Sequence, residues 1–472
     1  MSSGQLDETE VFQDTIVAIA TAQGPAGVGI VRLSGGSAVD IAKKLVKKPL
    51  EYELKPNYAR LVDFIDPEGE LIDQGIVLYF KSPFSFTGED VIECQVHGAP
   101  VVLTHLVQVA IAYGARLADP GEFSKRAFLN GKMDLTQAEA VADLVSSQSN
   151  AQARAALRTL KGAFSSKVQL LSDALVALRA EVEARIDFVD EALDFMSVNQ
   201  VSQKIEQIIF QVKRLLTTAS KGVNLTQGVQ VALVGEPNAG KSSLLNRLLG
   251  YDRAIVSEYA GTTRDTLSET ALISGIPFRF VDTAGLRKTD SKIEKLGIER
   301  THEALKESDC IVSVHDLTVG LNASESMSQN ELKNDERVIW VLNKSDLVGE
   351  EAVKQKVEQQ QLCSNSDLFN KKYAVVSALS GSGLEDLERV LVNQVNGQEM
   401  AACDFSARTR HVEALNRCVL YLEQSTVQLD ESSWDLLAED LRFGHQALQE
   451  ITGTFSSDEL LGKIFSSFCI GK

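Results

Sequence analysis

Short apolar runs and longer helical stripes follow one another along the chain, and their order divides it into regions. Ile16–Ala20, Gly29–Leu33 and Gly75–Phe80 are β-like runs, separated by Gly-Pro, Gly-Gly and Pro-Glu-Gly punctuation. A helix is expected between Val101 and Gly114, so residues 1–130 read as mixed α/β. From about 133 to 220 proline disappears and Ala, Leu, Gln and Glu dominate, all good helix formers. Leu157, Leu160, Phe164, Val168, Leu171, Leu175 and Leu178 recur at spacings of three and four, which predicts one apolar stripe on a long helix in a bundle.

The pattern then changes period. Val229–Val234, Phe278–Val281, Ile311–Val314, Val338–Leu342 and Tyr373–Val376 are short apolar runs that alternate with helical stretches. Continuous apolar runs are what strands buried on both faces require, so a doubly wound α/β sheet is expected. After residue 400 helical character returns, with Trp434, Leu437, Leu441 and Leu448 in period. The simplest architecture is multi-domain α/β plus all-α. It has an N-terminal domain at 1–130, a helical domain whose halves are 131–222 and 397–472, and an α/β domain at 223–396 inserted between them. The polar stretch 319–335 reads as a loop, and 349–370 is longer than a minimal connection.

Length and composition agree with this division. At roughly 150 residues per domain, 472 residues suggest about three domains. A hydrophobic share of 44% and a charged share of 24% exclude a disordered chain. The balance of 47 basic against 65 acidic residues leaves a net charge of −18. A general electrostatic grip on nucleic acid or on an anionic membrane is therefore not expected; a local basic patch or a partner protein would have to supply it. The six cysteines form no C-x-x-C pair, which argues against a zinc ribbon or dithiol motif and suits a reducing compartment. The polar, acidic N-terminus has no signal or transit character, and no apolar run reaches the roughly 18 residues of a membrane span. A cytoplasmic location is expected.

The strand ends carry the chemistry. Gly235-Glu-Pro-Asn-Ala-Gly240-Lys241-Ser242 fits G-x-x-x-x-G-K-[ST], follows the run VQVALV and opens the helix SSLLNRLLG. In such a loop the backbone N–H groups of Asn238, Ala239, Gly240 and the following Lys241, Ser242 and Ser243 wrap phosphates. Lys241 adds charge at the β/γ-phosphates, and the Ser242 hydroxyl is a Mg²⁺ ligand. Asp282-Thr283-Ala284-Gly285 follows the run FRFV; its carboxylate would reach the magnesium shell and its glycine N–H would sense the γ-phosphate. Asn343-Lys344-Ser345-Asp346 follows VIWVL. The Asp346 carboxylate can accept two hydrogen bonds from guanine N1–H and N2–H₂, a donor pair adenine lacks. Ser377-Ala378-Leu379 follows another run and can bring backbone N–H groups to the guanine oxygen.

Ala260-Gly261-Thr262-Thr263 lies between the phosphate-loop helix and the Asp282 strand, where a threonine can complete the Mg²⁺ shell. Leu286 stands where many GTPases place a water-orienting glutamine, and leucine cannot hydrogen-bond. Catalysis then needs another water-positioning group and another positive charge. Glu294 is a candidate, although composition alone reads it as a solvated helix residue. The six histidines show no ligand spacing and read as structural.

With these residues in view, the chain resembles the tRNA-modifying GTPase family called MnmE or TrmE over essentially its whole length. The resemblance rests on Phe86-Thr-Gly-Glu-Asp-Val-Ile-Glu93, Pro120-Gly-Glu-Phe-Ser-Lys-Arg-Ala-Phe-Leu-Asn130, the nucleotide motifs, and the ending Phe465-Ser-Ser-Phe-Cys-Ile-Gly-Lys472. It implies an N-terminal folate-binding domain that dimerises, a helical domain, and an inserted Ras-like P-loop G domain. It also implies a GTPase activated when two G domains meet, with K⁺ in place of an arginine finger. Carried over, Asn238, Ser257, Tyr259 and Thr262 are K⁺ ligands, the loop Ser257–Thr262, including Glu258, wraps that ion, and Ser242 and Thr263 bind Mg²⁺. Glu294 matches the family's water-orienting glutamate.

The family's tetrahydrofolate contacts, for a 5-formyl or methylene derivative, map to Arg32, Glu93, Lys132 and Lys472. Cations suit folate's glutamate tail, and a carboxylate suits the paired donors of its pterin. Cys469 is the most reactive candidate among the cysteines, since the Lys472 ammonium would favour its thiolate; a lone cysteine is as readily an inert core residue. The resemblance further implies a flavoprotein partner of the MnmG or GidA type, which carries FAD and NADH, in a heterotetramer. Together they would install a carboxymethylaminomethyl-type group at C5 of a tRNA wobble uridine. Two other readings remain at this point: a regulatory GTPase switch of the ribosome-assembly type, and a folate-dependent methyltransferase with an incidental G domain.

Overall fold

The structure is a computed structural model that describes residues 14–22, 24–47, 54–188, 196–251, 268–282, 305–319, 335–349, 351–355, 372–395, 403–427, 434–454, 458–466, 468 and 470–471. The chain forms two compact units, one from Met1–Ala142 with Gln449–Lys472 and the other from Asp143–Leu448.

The first unit is built on β1 (Ile16–Ile19), β2 (Ala26–Ser34), β3 (Arg60–Ile65), β4 (Leu71–Phe80), β5 (Val91–Gly98) and β6 (Arg116–Leu117). They order β3-β4-β5-β2-β1-β6 and are antiparallel except for the β1–β6 pair. The three expected strands are present as β1, β2 and β4; β3, β5 and β6 are additional. Alternation along β2 sends Val31 and Leu33 to one face, where they meet Ile41 of α1 (Ala38–Lys44) and Leu103 and Leu106 of α2 (Pro100–Ala112). Arg32 and Ser34 point to the other face. There Ile16 and Ala18 pack on Phe123 of α3 (Glu122–Leu129).

α4 (Leu135–Ser146) follows, and its Leu135 and Ala138 cluster with Leu461, Ile464 and Phe465 of the C-terminal helix Asp458–Ser466. Residues from distant parts of the sequence thus share one hydrophobic cluster.

The second unit contains α5 (Asn150–Leu160), α6 (Ala163–Asp187) and α7 (Val198–Gln227). The expected single long helix through Leu157 and Leu178 is instead two helices. Gly162 sits between them with φ 86°, a left-handed conformation that glycine adopts without a Cβ clash. The stripe is accordingly split: Phe164, Val168, Leu171, Leu175 and Leu178 are buried, whereas Leu157 is exposed.

The inserted sheet comprises β7 (Val229–Gly235), β8 (Ser268–Ile273), β9 (Ile276–Asp282), β10 (Cys310–Asp316), β11 (Val338–Asn343) and β12 (Tyr373–Val375), in the order β12-β11-β10-β7-β9-β8. All five expected runs are strands and run parallel; β8 is antiparallel to β9. The helices α8 (Lys241–Tyr251) and α9 (Leu384–Gln394) accompany this sheet in sequence. From β7 the chain goes to β9 on one side and β10 on the other, a switch point that leaves a crevice at the carboxyl ends of the strands.

α10 (Thr409–Val427) and α11 (Trp434–Thr452) return to the earlier helices. The Phe164 and Phe405 rings stack at 4.6 Å, Lys213 of α7 pairs with Glu423 of α10 at 2.7 Å, and His445 of α11 lies 2.9 Å from the Ser172 hydroxyl of α6. Helices before and after the inserted sheet therefore pack together. No helix among the described residues is long and apolar enough to cross a membrane.

Candidate functional site

The nucleotide motifs converge where β7, β11 and β12 end. The phosphate loop leaves β7 through Gly235, with left-handed backbone at Asn238 (φ 65°) and Gly240 (φ 93°). A Cβ on Gly240 would lie 2.2 Å from the Asn343 amide nitrogen, so the loop can approach the β11 end only through glycine. Lys241 is 7% exposed, and its ammonium donates to the carbonyls of Gly235 at 2.9 Å and Glu236 at 2.7 Å. That bridge places a fixed positive charge inside the loop. Ser242 and Ser243 are exposed on the first turn of α8, where a hydroxyl oxygen suits magnesium. Asn238 is also exposed, and its amide oxygen suits an alkali ion.

Asn343 joins the loops. It is 1% exposed; its Nδ2 donates to the Ala239 carbonyl at 2.8 Å, and its Oδ1 accepts from the Ala378 N–H at 3.0 Å. The Ser377 hydroxyl donates to Asp346 Oδ1, and Ser345 N–H donates to the Val376 carbonyl at 3.1 Å. The Asn343–Asp346 segment and the Ser377–Leu379 loop are thus one connected structure; Leu379 itself is 81% exposed. Lys344, in left-handed backbone (φ 66°), reaches Asp316 at the end of β10 at 2.6 Å. Burial works upward on the Asp316 carboxyl, but hydrogen bonds from Lys344 and Thr318 outweigh it and hold the group below the usual carboxylate range.

On the first unit, Arg32 and Glu93 are direct cross-strand partners on β2 and β5. Arg32 donates to Glu93 Oε1 from Nε at 2.9 Å, and its Nη2 lies 2.8 Å from the same oxygen. The guanidinium lies 5.7 Å from the centre of the Phe86 ring and 5.7 Å from that of Phe123. A cation and a carboxylate beside two aromatic rings fit a ligand with an anionic tail and a planar donor-bearing ring. The Lys132 ammonium donates to the Pro83 carbonyl at 2.8 Å, on the loop that carries Phe86.

Several expected site residues fall outside the described residues: Ser257, Glu258, Tyr259, Ala260, Gly261, Thr262 and Thr263, then Thr283, Ala284, Gly285 and Glu294, and finally Cys469 and Lys472. Asp282 ends β9, but its side chain is likewise not described. Gly471 lies against β1, since a Cβ there would fall 2.3 Å from the Ile19 carbonyl oxygen. Ile19 pairs with Val31, next to Arg32, so Gly471 lies one strand away from Arg32.

Among the described cysteines, burial pushes Cys94, Cys310 and Cys418 up to about 12 and raises Cys403 as well, which suits inert core thiols.

Sequence reasoning did not find the ion cluster beneath the Arg32 site. Arg126 is fully buried and pairs with Asp14, Glu89 and Glu122 at 2.8, 3.2 and 2.9 Å. Arg116 shares Asp14 and Glu122. Desolvation raises both carboxyls, but the two arginines hold Asp14 and Glu122 below their ordinary values. Arg126 and Glu89 lie inside the two N-terminal motifs; nothing in their spacing shows that they meet.

The residues 15–132 match the model described as the GTP-binding protein TrmE N-terminus, and 135–469 match that of the MnmE helical domain. A tRNA modification GTPase MnmE of Legionella pneumophila (strain Corby) is 47% identical over 460 residues, 97% of this chain and 99% of the relative. One from Pseudomonas fluorescens is 46% identical over 467 residues, 98% and 100% of the two chains. One from Hydrogenovibrio crunogenus is 44% identical over 460 residues, 97% and 99%.

Proposed function

We propose, from the premise that this chain belongs to the MnmE family of tRNA modification GTPases, that it is a potassium-dependent GTPase acting on the wobble uridine of certain tRNAs. With a flavin-containing MnmG/GidA-type partner it adds a carboxymethylaminomethyl-type group at C5, drawing one carbon from folate. The chain is a GTP hydrolase of that family.

One observation carries the reading: a single chain holds both the loop junction built on Asn343 and the Arg32–Glu93 pair flanked by Phe86 and Phe123. A pure regulatory switch has no use for the second. On the nucleotide, Lys241 faces the β/γ-phosphates, Asp346 reads guanine, and backbone N–H groups of Ser377–Leu379 meet its oxygen. Ser242 and Thr263 would hold Mg²⁺, whose shell the Asp282 carboxylate would reach, and Asn238, Ser257, Tyr259 and Thr262 would hold K⁺. Potassium, when bound, supplies charge at the β–γ bridge, where a loose phosphoryl transition state needs it. Glu294 orients the attacking water, because Leu286 cannot. Arg32, Glu93, Lys132 and Lys472 bind the folate, and Cys469 acts in the tRNA reaction.

The partner carries FAD and NADH and makes much of the tRNA contact, a division that suits the net charge of −18. The chain dimerises through its N-terminal domain, enters a heterotetramer with that partner, and works in the cytoplasm.

Two measurements test this. GTP hydrolysis should be much faster in KCl than in NaCl; equal rates refute the potassium scheme. Transfer RNA from cells lacking the protein should miss one C5-modified uridine, and a full complement of modified nucleosides refutes the reaction. In the same assay Cys469→Ser should lower modification and spare GTP hydrolysis.

A further inference from the structure

We propose that Arg126 is a positioning residue for the Arg32–Glu93 site: it fixes the loop 82–90, and through that loop the Phe86 ring over Arg32. The inference rests on the reading of that site as folate-binding.

Residues 81–90 form no strand or helix, so the position of Phe86 depends on tertiary contacts. Those contacts come largely from the second N-terminal motif. Asn130 Nδ2 donates to the Thr87 carbonyl at 2.7 Å, and Lys132 Nζ donates to that of Pro83 at 2.8 Å. Arg126 supplies the buried one. Its Nη1 donates to Glu89 Oε1 at 3.2 Å and Oε2 at 3.3 Å, and to the Asp14 carbonyl at 3.0 Å. Its Nη2 donates to Asp14 Oδ1 at 2.8 Å and Glu122 Oε1 at 2.9 Å. One planar cation thus ties the start of β1, the first turn of α3 and the loop together.

The link to the site is short. Glu89 Oε2 accepts from the Ser34 hydroxyl at 2.6 Å, and Ser34 Oγ lies 2.7 Å from Thr87 Oγ1. Ser34 stands two residues from Arg32 on β2, on the same face. Arg32, Ser34, Glu89 and Phe86 therefore share one frame whose buried anchor is Arg126. A lysine ammonium carries charge but not the rigid fork of five donors, so it cannot hold three carboxylates and a carbonyl in one plane.

Were Arg126 only a core stabiliser, its loss would weaken folate binding independently of Phe86. Acting through the loop, its effect disappears once the Phe86 ring is gone. The test is a double-variant cycle in the full-length protein, with 5-formyltetrahydrofolate titrated calorimetrically into wild type, Arg126→Lys, Phe86→Leu and the double variant. Each single change is expected to weaken binding about tenfold, and the double variant to match Phe86→Leu within about twofold. Multiplying losses overturn the proposal. If Arg126→Lys does not fold, Ser34→Ala takes its place in the cycle, with the same two outcomes.

Hydrogen exchange gives a readout without ligand. Arg126→Lys, or Ser34→Ala in its place, should speed exchange across 82–90 ahead of the β1–β2 strands, and an unchanged loop overturns the proposal. Wild-type protein that binds no folate refutes the folate reading; the exchange result then decides the positioning role.

Discussion

The Ser377 hydroxyl donates to Oδ1 of Asp346 across 2.5 Å, joining two loops 31 positions apart. Asp346 is exposed on a short 3-10 turn, whereas Ser377 is fully buried. The buried hydroxyl therefore aims an exposed carboxylate. Ser377→Ala should weaken GTP binding by about 1 kcal/mol, roughly fivefold, and narrow the preference for guanine over hypoxanthine nucleotides. Titration with a fluorescent GTP analogue, competed by inosine triphosphate, measures both. Unaltered affinity and selectivity would show that the Ser377 hydroxyl does not aim Asp346.

Asn343 does different work from its motif neighbour. Removing its amide leaves the Ala239 carbonyl and the Ala378 N–H without their partner in a buried place. Asn343→Ala should cost about 2–3 kcal/mol in urea unfolding of the inserted domain and speed nucleotide release. Asn343→Asp keeps an acceptor for Ala378 but loses the donor to Ala239, so it should fall between. A variant as stable as wild type would show that the loops hold each other without this side chain.

His315 gives the inserted domain an acid limit. Burial pushes its imidazole down to about 4, with Ser313 Oγ 2.7 Å from Nε2 and the Trp340 ring 5.3 Å away. The unfolded chain binds a proton near pH 6.5 that the folded chain refuses until about 4. The contribution is therefore complete above 6.5 and is lost as pH falls toward 4, to a total of roughly 3 kcal/mol. Unfolding followed through Trp340 emission in a Trp434→Phe background should show this slope, and His315→Gln should flatten it. A slope unchanged by His315→Gln would assign the acid sensitivity elsewhere.

The parts legible in sequence were those encoded within a few consecutive residues. The phosphate loop, Asn343–Asp346 and Ser377–Leu379 could be placed because each follows an apolar run, and all those runs are strands. β8 escaped because it lies at the sheet edge: Ala271 and Ile273 are buried but Glu269 and Thr270 are exposed, so it lacks a continuous apolar run. The stripe from Leu157 to Leu178 keeps its period across Gly162, and apolar spacing carries no sign that the backbone turns left-handed there.

What the sequence by itself determined is the local chemistry: which strand ends carry a lysine, an aspartate or a hydroxyl, and the order of domains. What only the tertiary structure decided is which distant residues share a charge or a hydrogen bond. Arg126 meets Asp14 across 112 positions and Glu89 across 37, and Asn343 meets Ala239 across 104. Such pairs leave no period and no spacing in the chain. They are chosen when the sheets and helices pack and every buried polar group must find a partner at close range.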